Sequence, residues 1–211
     1  MFSRELSLPE LLLLVARQLG RMPDIGFEVA VTCSYGWPAV LRNLTRTALG
    51  RPNPNLYYLS CPWLRRGLAR LEDSGLIDEL QQQLTSNRDL HLDLIRAQKL
   101  YSDEYQRAVA AASAETTAAG KAEEASVLIA AARKPEFLKC LHAHAAFYLI
   151  HNDYLLGRKI VSALTAIECS DERCAAWAME ISEEYSRPDE GKKPSSREQR
   201  QRSSDKGAKP S

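Results

Sequence analysis

The chain of 211 residues has no run of apolar residues long enough to cross a bilayer. Its most apolar N-terminal stretch, Leu11–Val15, covers five residues, whereas a membrane helix needs about 20. Glu5 and Glu10 flank this stretch, where a secretory signal peptide would carry basic residues. The sequence therefore predicts a protein that is neither exported by a signal peptide nor embedded in a membrane.

Familiar catalytic and phosphate-binding motifs are also missing. The sequence contains no glycine-rich phosphate loop, no Gly-x-Ser-x-Gly elbow, no His-Glu-x-x-His pair and no Cys-x-x-Cys. The net charge is only +1, which argues against the concentrated basic surface of a nucleic-acid-binding protein. Motifs alone therefore leave open whether the chain is an enzyme.

Cysteine is present without the pattern of a disulfide framework. The five cysteines, an odd number, stand at positions 33, 61, 140, 169 and 174. The chain also exceeds the size of the small secreted domains that depend on disulfides. We expect reduced thiols and a cytoplasmic location.

Helix and strand signals together predict an α+β fold. Ser7 followed three residues later by Glu10 is a capping box that starts a first helix, and Gly20 ends it. Stretches rich in Val, Leu and Thr predict strands at 27–33, 39–46 and 55–60. Short connections between them favour a small three-stranded antiparallel sheet, packed against several helices.

The rest of the chain has helical periodicity. Apolar residues at core spacing predict helices that begin at Pro62 and Leu76, a long helix through Leu90 and Ala108, and helices over 135–150, 156–167 and 171–185. We interpret residues 110–125 as a loose connection or a frayed helix. We expect one domain over residues 1–186 and a disordered basic tail over 187–211, because the tail has eight basic residues and no large apolar residue.

Four stretches of sequence together suggest a family. They read VTCSYGWPAV at 31–40, LYYLSCP at 56–62, RLEDSG at 70–75 and KCLHAH at 139–144. In this order and spacing they resemble the bacterial family catalogued as domain of unknown function 501, over residues 26–167. The resemblance implies the bounds of the core of the domain, and it implies no activity.

Cys61 is a candidate catalytic residue because it stands directly before Pro62, at the start of a predicted helix. Free backbone N–H groups and the positive end of the helix dipole favour a thiolate there, and Arg65 and Arg66 add positive charge. The alternative interpretation is a small apolar thiol that ends a buried strand.

Lys139 and His142 are candidate ligand-binding residues, and His142 is also a catalytic candidate. If they lie on one helix, residues three apart share a face, so the two cations could bind a phosphate or carboxylate. Arg158 on the next helix could join them. The alternative is a polar stripe at the edge of the core.

Zinc is the cofactor that the sequence could support. Cys33, Cys61, Cys140, His142 and His144 supply the ligand types that zinc prefers. On a regular helix, however, Cys140 and His142 would point to opposite sides, whereas Cys140 and His144 have a permissible spacing.

Three hypotheses for the function follow from these residues. We favour a cytoplasmic protein whose Cys/His/Lys cluster binds a small anionic ligand, with thiol chemistry as an option. The first alternative is a non-catalytic interaction or scaffold protein with core cysteines. The second is a zinc-stabilised module.

Overall fold

The structure is a computed structural model that describes residues 6–115 and 127–186. Within these residues the chain forms seven α-helices, three strands and one 3₁₀ turn, which confirms the predicted α+β fold. In chain order the elements are α1 (Leu8–Leu19), β1 (Phe27–Thr32), β2 (Pro38–Asn43), β3 (Tyr57–Leu59), α2 (Pro62–Asp73), α3 (Leu76–Ser86), α4 (Arg88–Glu115), the 3₁₀ turn (Ile129–Ala131), α5 (Leu141–Ile150), α6 (Leu155–Ser162) and α7 (Arg173–Ser186). The predicted tail over 187–211 lies outside the described residues, and the domain bounds 1–186 stay a prediction.

The three strands form one antiparallel sheet in the order β1-β2-β3. Val40 of β2 is paired with Leu59 of β3, which places β3 and the start of α2 beside the central strand. The register between β1 and β2 shifts near Val31, where one strand carries an irregularity. The predicted strands are confirmed, with ends shorter than the composition suggests.

Helices α2 to α6 build the main core, and α5 packs against strands β3 and β1 of the sheet. Its fully buried side chains include Leu68, Leu94, Leu141 and Phe147. Burying each of these side chains contributes about 1.5–3 kcal/mol to stability. The hydroxyl of Tyr101 donates to the Pro54 carbonyl and accepts the Leu56 N–H, which ties α4 to the start of β3.

Helix α1 packs against α7 in a smaller apolar cluster around Leu14 and Ile181. The predicted capping box is present, because the Ser7 N–H donates to the Glu10 carboxylate at 2.8 Å. The other Glu10 carboxylate oxygen accepts the buried Ser182 hydroxyl at 2.6 Å, so the cap also joins the two helices. No described helix is both long and apolar enough to cross a membrane.

Helix α5 begins six residues later than predicted. Pro135 lies in an irregular segment, and the helix starts at Leu141. The side chain of Gln81 on α3 explains the delay, because it donates to the Glu136 carbonyl at 3.1 Å and accepts the Leu138 N–H at 2.9 Å. In a helix that began at Pro135 the Glu136 carbonyl would accept the Cys140 N–H, whereas here it accepts a hydrogen bond from Gln81.

Candidate functional site

Two residues of α2 face the beginning of α5. Arg65 and Glu72 are seven positions apart, which is two helical turns, so they share one side of α2. The glutamate side chain is about one quarter exposed and meets the first turn of α5. The site therefore lies where the end of α2 and the start of α5 come together.

Glu72 supplies the N-terminal cap that α5 lacks in its own sequence. Residue 140, at the cap position, is a cysteine and makes no capping hydrogen bond with its side chain. Instead, Oε1 of Glu72 accepts the Leu141 N–H at 2.7 Å. The same oxygen lies 3.1 Å from Nδ1 of His142. A carboxylate at this position is favoured by the positive end of the helix dipole.

The imidazole of His142 is held at both nitrogens. Nε2 donates to the backbone carbonyl of Arg65 at 2.9 Å, and Nδ1 faces Glu72. Burial would lower the pKa of His142, but hydrogen bonds with Cys140 and the Arg65 carbonyl, together with the charge of Glu72, outweigh it and raise the pKa to about 9. The ring is thus fixed in orientation by two residues of α2.

Cys140 joins this group because it precedes the helix. Its backbone is extended, with φ −152° and ψ 120°, and its Sγ lies 3.8 Å from Nδ1 of His142. The expectation that Cys140 and His142 point to opposite sides is wrong, since it assumed one regular helix through both residues. Glu72, Cys140 and His142 place one ligand atom each within 4.8 Å of one another.

A concavity of about 510 Å³ opens beside this group. Strand β3, helix α2, the 3₁₀ turn and the segment entering α5 form its walls. Its lining residues are Asn55, Tyr57, Tyr58, Leu59, Arg65, Ala130, Ala131, Lys139, Cys140, His142 and Ala143. Three of them carry basic groups, and no acidic residue is among them.

Lys139 and His142 line the same concavity, as the sequence predicted, although Lys139 is not on the helix. The exposed Lys139 ammonium lies 3.5 Å from the carbonyl oxygen of Ala131. Ala130 and Ala131 have φ values of 60° and 49°, in the left-handed region that alanine rarely adopts. Such strained backbone is concentrated at functional sites in proteins, and here it shapes one wall.

A family comparison covers all of these residues. The model of the family described as protein of unknown function (DUF501) matches residues 29–162. The chain belongs to this family. The matched range of the DUF501 domain contains both α2 and the start of α5. No curated protein and no solved structure matches the chain.

Two predicted site residues of the DUF501 domain lie elsewhere. Arg158 on α6 does not line the concavity, and its guanidinium donates to the Asn152 carbonyl at 3.0 Å. His144 is fully buried, with Nδ1 2.6 Å from the Tyr154 hydroxyl, and burial lowers its pKa to about 3. Arg65, from α2, is the second basic side chain beside Lys139.

The other cysteines lie around a separate, mostly apolar cavity of about 200 Å³. It is lined by Cys33, Cys61, Cys169 and Cys174, together with Trp37 and Trp63. The structure therefore does not bring Cys33 and Cys61 to Cys140. All five cysteines, each within the described residues, are free thiols.

Cys61 caps α2 at its N-terminus, as predicted, but its thiol is not activated there. Burial raises the pKa of Cys61, and the N–H groups of Leu64 and Trp63, which favour the thiolate, do not compensate. Among the described residues no hydrogen bond joins Cys61 to His142 or His144. The prediction of a thiolate at Cys61 is therefore wrong, because the apolar surroundings favour the neutral thiol.

Glu72 is a site residue that the sequence did not identify as a helix cap or as a ligand. It lies in the RLEDSG stretch that carried the family resemblance, in the last turn of α2. The sequence indicated Arg65 only as a positive charge near Cys61. The signal that could have identified Glu72 is its place in a family stretch, combined with the lack of a basic residue three or four positions away on the same helix face.

Proposed function

We propose that this DUF501 protein binds a small anionic ligand, of the phosphate or carboxylate class, in the concavity beside α2 and α5. The observation that carries the proposal is the lining itself: among the described residues Arg65, Lys139 and His142 line the cavity and no acidic residue does, although Glu72 contacts His142 from behind. Cationic donors converging on one concave surface are the usual means of recognising such anions.

The two basic side chains on the walls have donors to spare. Nη1 of Arg65 donates to the Gln18 carbonyl at 2.8 Å, which holds the guanidinium in place and leaves its other N–H groups for a ligand. Lys139 has a single long contact with a backbone carbonyl. Neither side chain forms an ion pair with a carboxylate in the described part of the chain. Their charges are therefore available to an anion.

The free thiols support a reducing compartment, such as the cytoplasm, as the place of action. A nucleophilic role for Cys61 has no supporting contact, because the partly buried thiol lines the other cavity. We therefore propose binding rather than thiol catalysis. The interaction-scaffold alternative would need no ligand in the concavity, and the experiment below separates the two.

Isothermal titration of phosphate and of sulfate into the full chain, treated with a chelator and kept reduced, tests this function. We expect saturable binding that Lys139→Ala weakens at least tenfold, with a melting temperature close to that of the unaltered chain. Lys159→Ala on α6 is the matched control, because this lysine is exposed and lies away from the concavity. If the chain binds neither anion, or if Lys139→Ala and Lys159→Ala lose the same amount of anion affinity, the scaffold alternative is favoured.

A further inference from the structure

Glu72, Cys140 and His142 form a cluster that has the composition of a transition-metal site. A carboxylate oxygen, a sulfur and an imidazole nitrogen come within 4.8 Å of one another. All three side chains are partly buried. Two of them, Cys140 and His142, also line the concavity, so the cluster stands between the protein interior and the open space.

The hydrogen bond from His142 to Arg65 decides which nitrogen faces the cluster. A carbonyl oxygen only accepts hydrogen bonds, so Nε2 of His142 must carry the proton. Nδ1 is then the nitrogen that faces Glu72 and Cys140, and it becomes a metal ligand when it gives up its proton. Three electron-rich atoms that face one another need a cation between them, either a proton or a metal ion. Metal-ligating histidines are held in this way by a carbonyl on the far nitrogen.

Two of the three separations in the cluster are close to those around a tetrahedral ion. With zinc–ligand bonds of about 2.0–2.3 Å, two ligands at the tetrahedral angle lie about 3.4 Å apart for N and O and about 3.6 Å apart for N and S. The corresponding distances are 3.1 Å between Nδ1 and the Glu72 oxygen and 3.8 Å between Nδ1 and the Cys140 sulfur. The third pair, a Glu72 oxygen and the Cys140 sulfur, lies within 4.8 Å, so these two side chains would move together around a bound ion.

We propose that Glu72, Cys140 and His142 bind one divalent transition-metal ion of the zinc class. The ion takes the place of the Nδ1 proton of His142 and of the thiol proton of Cys140, and both protons pass to solvent. The mixed oxygen, nitrogen and sulfur set favours zinc over magnesium or calcium, which prefer oxygen ligands alone. Three protein ligands leave a fourth position free, as in catalytic zinc sites.

The fourth position is the place where the anion would meet the metal, which rests on the proposed function. Arg65 and Lys139 would hold the anion from the walls of the concavity, and the ion would bind one of its oxygens. The metal site itself does not depend on the anion, because its three ligands come from the protein.

Cobalt substitution of the full, reduced chain tests the metal site. We expect one Co²⁺ per chain with a thiolate-to-cobalt charge-transfer band. The band should disappear in Cys140→Ser and persist in the matched control Cys61→Ser, whose sulfur lies in the other cavity. Serine suits a helix cap, so Cys140→Ser should fold, which circular dichroism checks. A folded chain without the band, or a band lost only in Cys61→Ser, would overturn the proposal.

Zinc competition against a chromophoric chelator tests the carboxylate. Glu72→Gln keeps an oxygen that can accept the Leu141 N–H, but its neutral amide is a poor zinc ligand. We expect zinc affinity to fall by about tenfold or more. Affinity equal to that of the unaltered chain would contradict the ligand set. If the chelated chain binds phosphate but the cobalt-treated chain shows no band, only the metal site is overturned. If the cobalt band appears but phosphate does not bind, only the proposed function is overturned.

Discussion

The Nε2 atom of His142 lies 2.9 Å from the backbone carbonyl oxygen of Arg65, across the contact between α5 and α2. This hydrogen bond fixes the orientation of the ring and directs Nδ1 toward Glu72. The position of one backbone carbonyl thus determines which atom of the histidine faces the candidate metal ligands, and it links the packing of two helices to the chemistry of the site.

Removal of the Glu72 side chain should destabilise the chain. In Glu72→Ala, α5 loses its cap and His142 loses its carboxylate partner, so we expect the free energy of unfolding to fall by about 1.5–3 kcal/mol. Denaturant melts of the chelated protein measure this change. Asp73→Ala is the control, because Asp73 is exposed, and it should stay within about 0.5 kcal/mol. Equal effects of the two variants would argue against the cap.

The segment before α5 should loosen when Gln81 is shortened. Gln81→Ala removes both hydrogen bonds to residues 136 and 138, so the amide of Leu138 should exchange faster with solvent. Gln82→Ala, at the exposed neighbouring position, should leave that exchange rate unchanged. Hydrogen exchange followed by mass spectrometry makes the comparison. Unchanged protection of Leu138 in Gln81→Ala would contradict our explanation for the late helix start.

Acid should destabilise the chain through His144. Its pKa is lowered from 6.5 to about 3 by burial, so the unfolded chain binds a proton that the folded chain refuses between these values. The contribution of His144 to stability is complete above pH 6.5 and falls by about 2 kcal/mol between pH 7 and pH 5. Melts of the chelated chain and of His144→Asn over this range test the assignment. The same slope in both proteins would exclude His144 as its source.

The cysteines around the apolar cavity should react slowly with alkylating agents. Burial raises the pKa of Cys174 from 9.0 to about 11, so at neutral pH it has roughly 100-fold less thiolate than an ordinary cysteine. We expect iodoacetamide to label Cys174 last, and Cys61 more slowly in the folded than in the urea-unfolded chain. Peptide mapping gives the rates. Fast labelling of Cys61 in the folded chain would restore the idea of an activated thiol.

The sequence predicted the sheet and most helices because their signals are local. Strand composition, the Ser7–Glu10 capping box and the breaks near Gly20 and Gly75 all depend on neighbouring residues. The start of α5 does not depend on neighbouring residues alone, because the segment before it is held by Gln81, 57 positions before Leu138 along the chain. Periodicity therefore placed Lys139 and Cys140 on a helix that begins only after them.

Only the site residues that are close together in the sequence could be predicted. Lys139 and His142 were identified from a short stretch of sequence, and they do share the concavity. Glu72 and Arg65 reach them from α2, through a tertiary contact that spacing along the chain cannot reveal. Arg158 was expected there because α6 follows α5, but its side chain is held by the Asn152 carbonyl.

X-ray absorption at the zinc edge, on the chain loaded with one equivalent of zinc, tests the central claim most directly. The ligand set Glu72, Cys140 and His142 predicts a first shell of one sulfur at about 2.3 Å, with nitrogen and oxygen neighbours at about 2.0–2.2 Å. A shell with two or more sulfurs would place the ion at the thiols of the other cavity. A shell without sulfur would exclude Cys140, and either result would contradict the account.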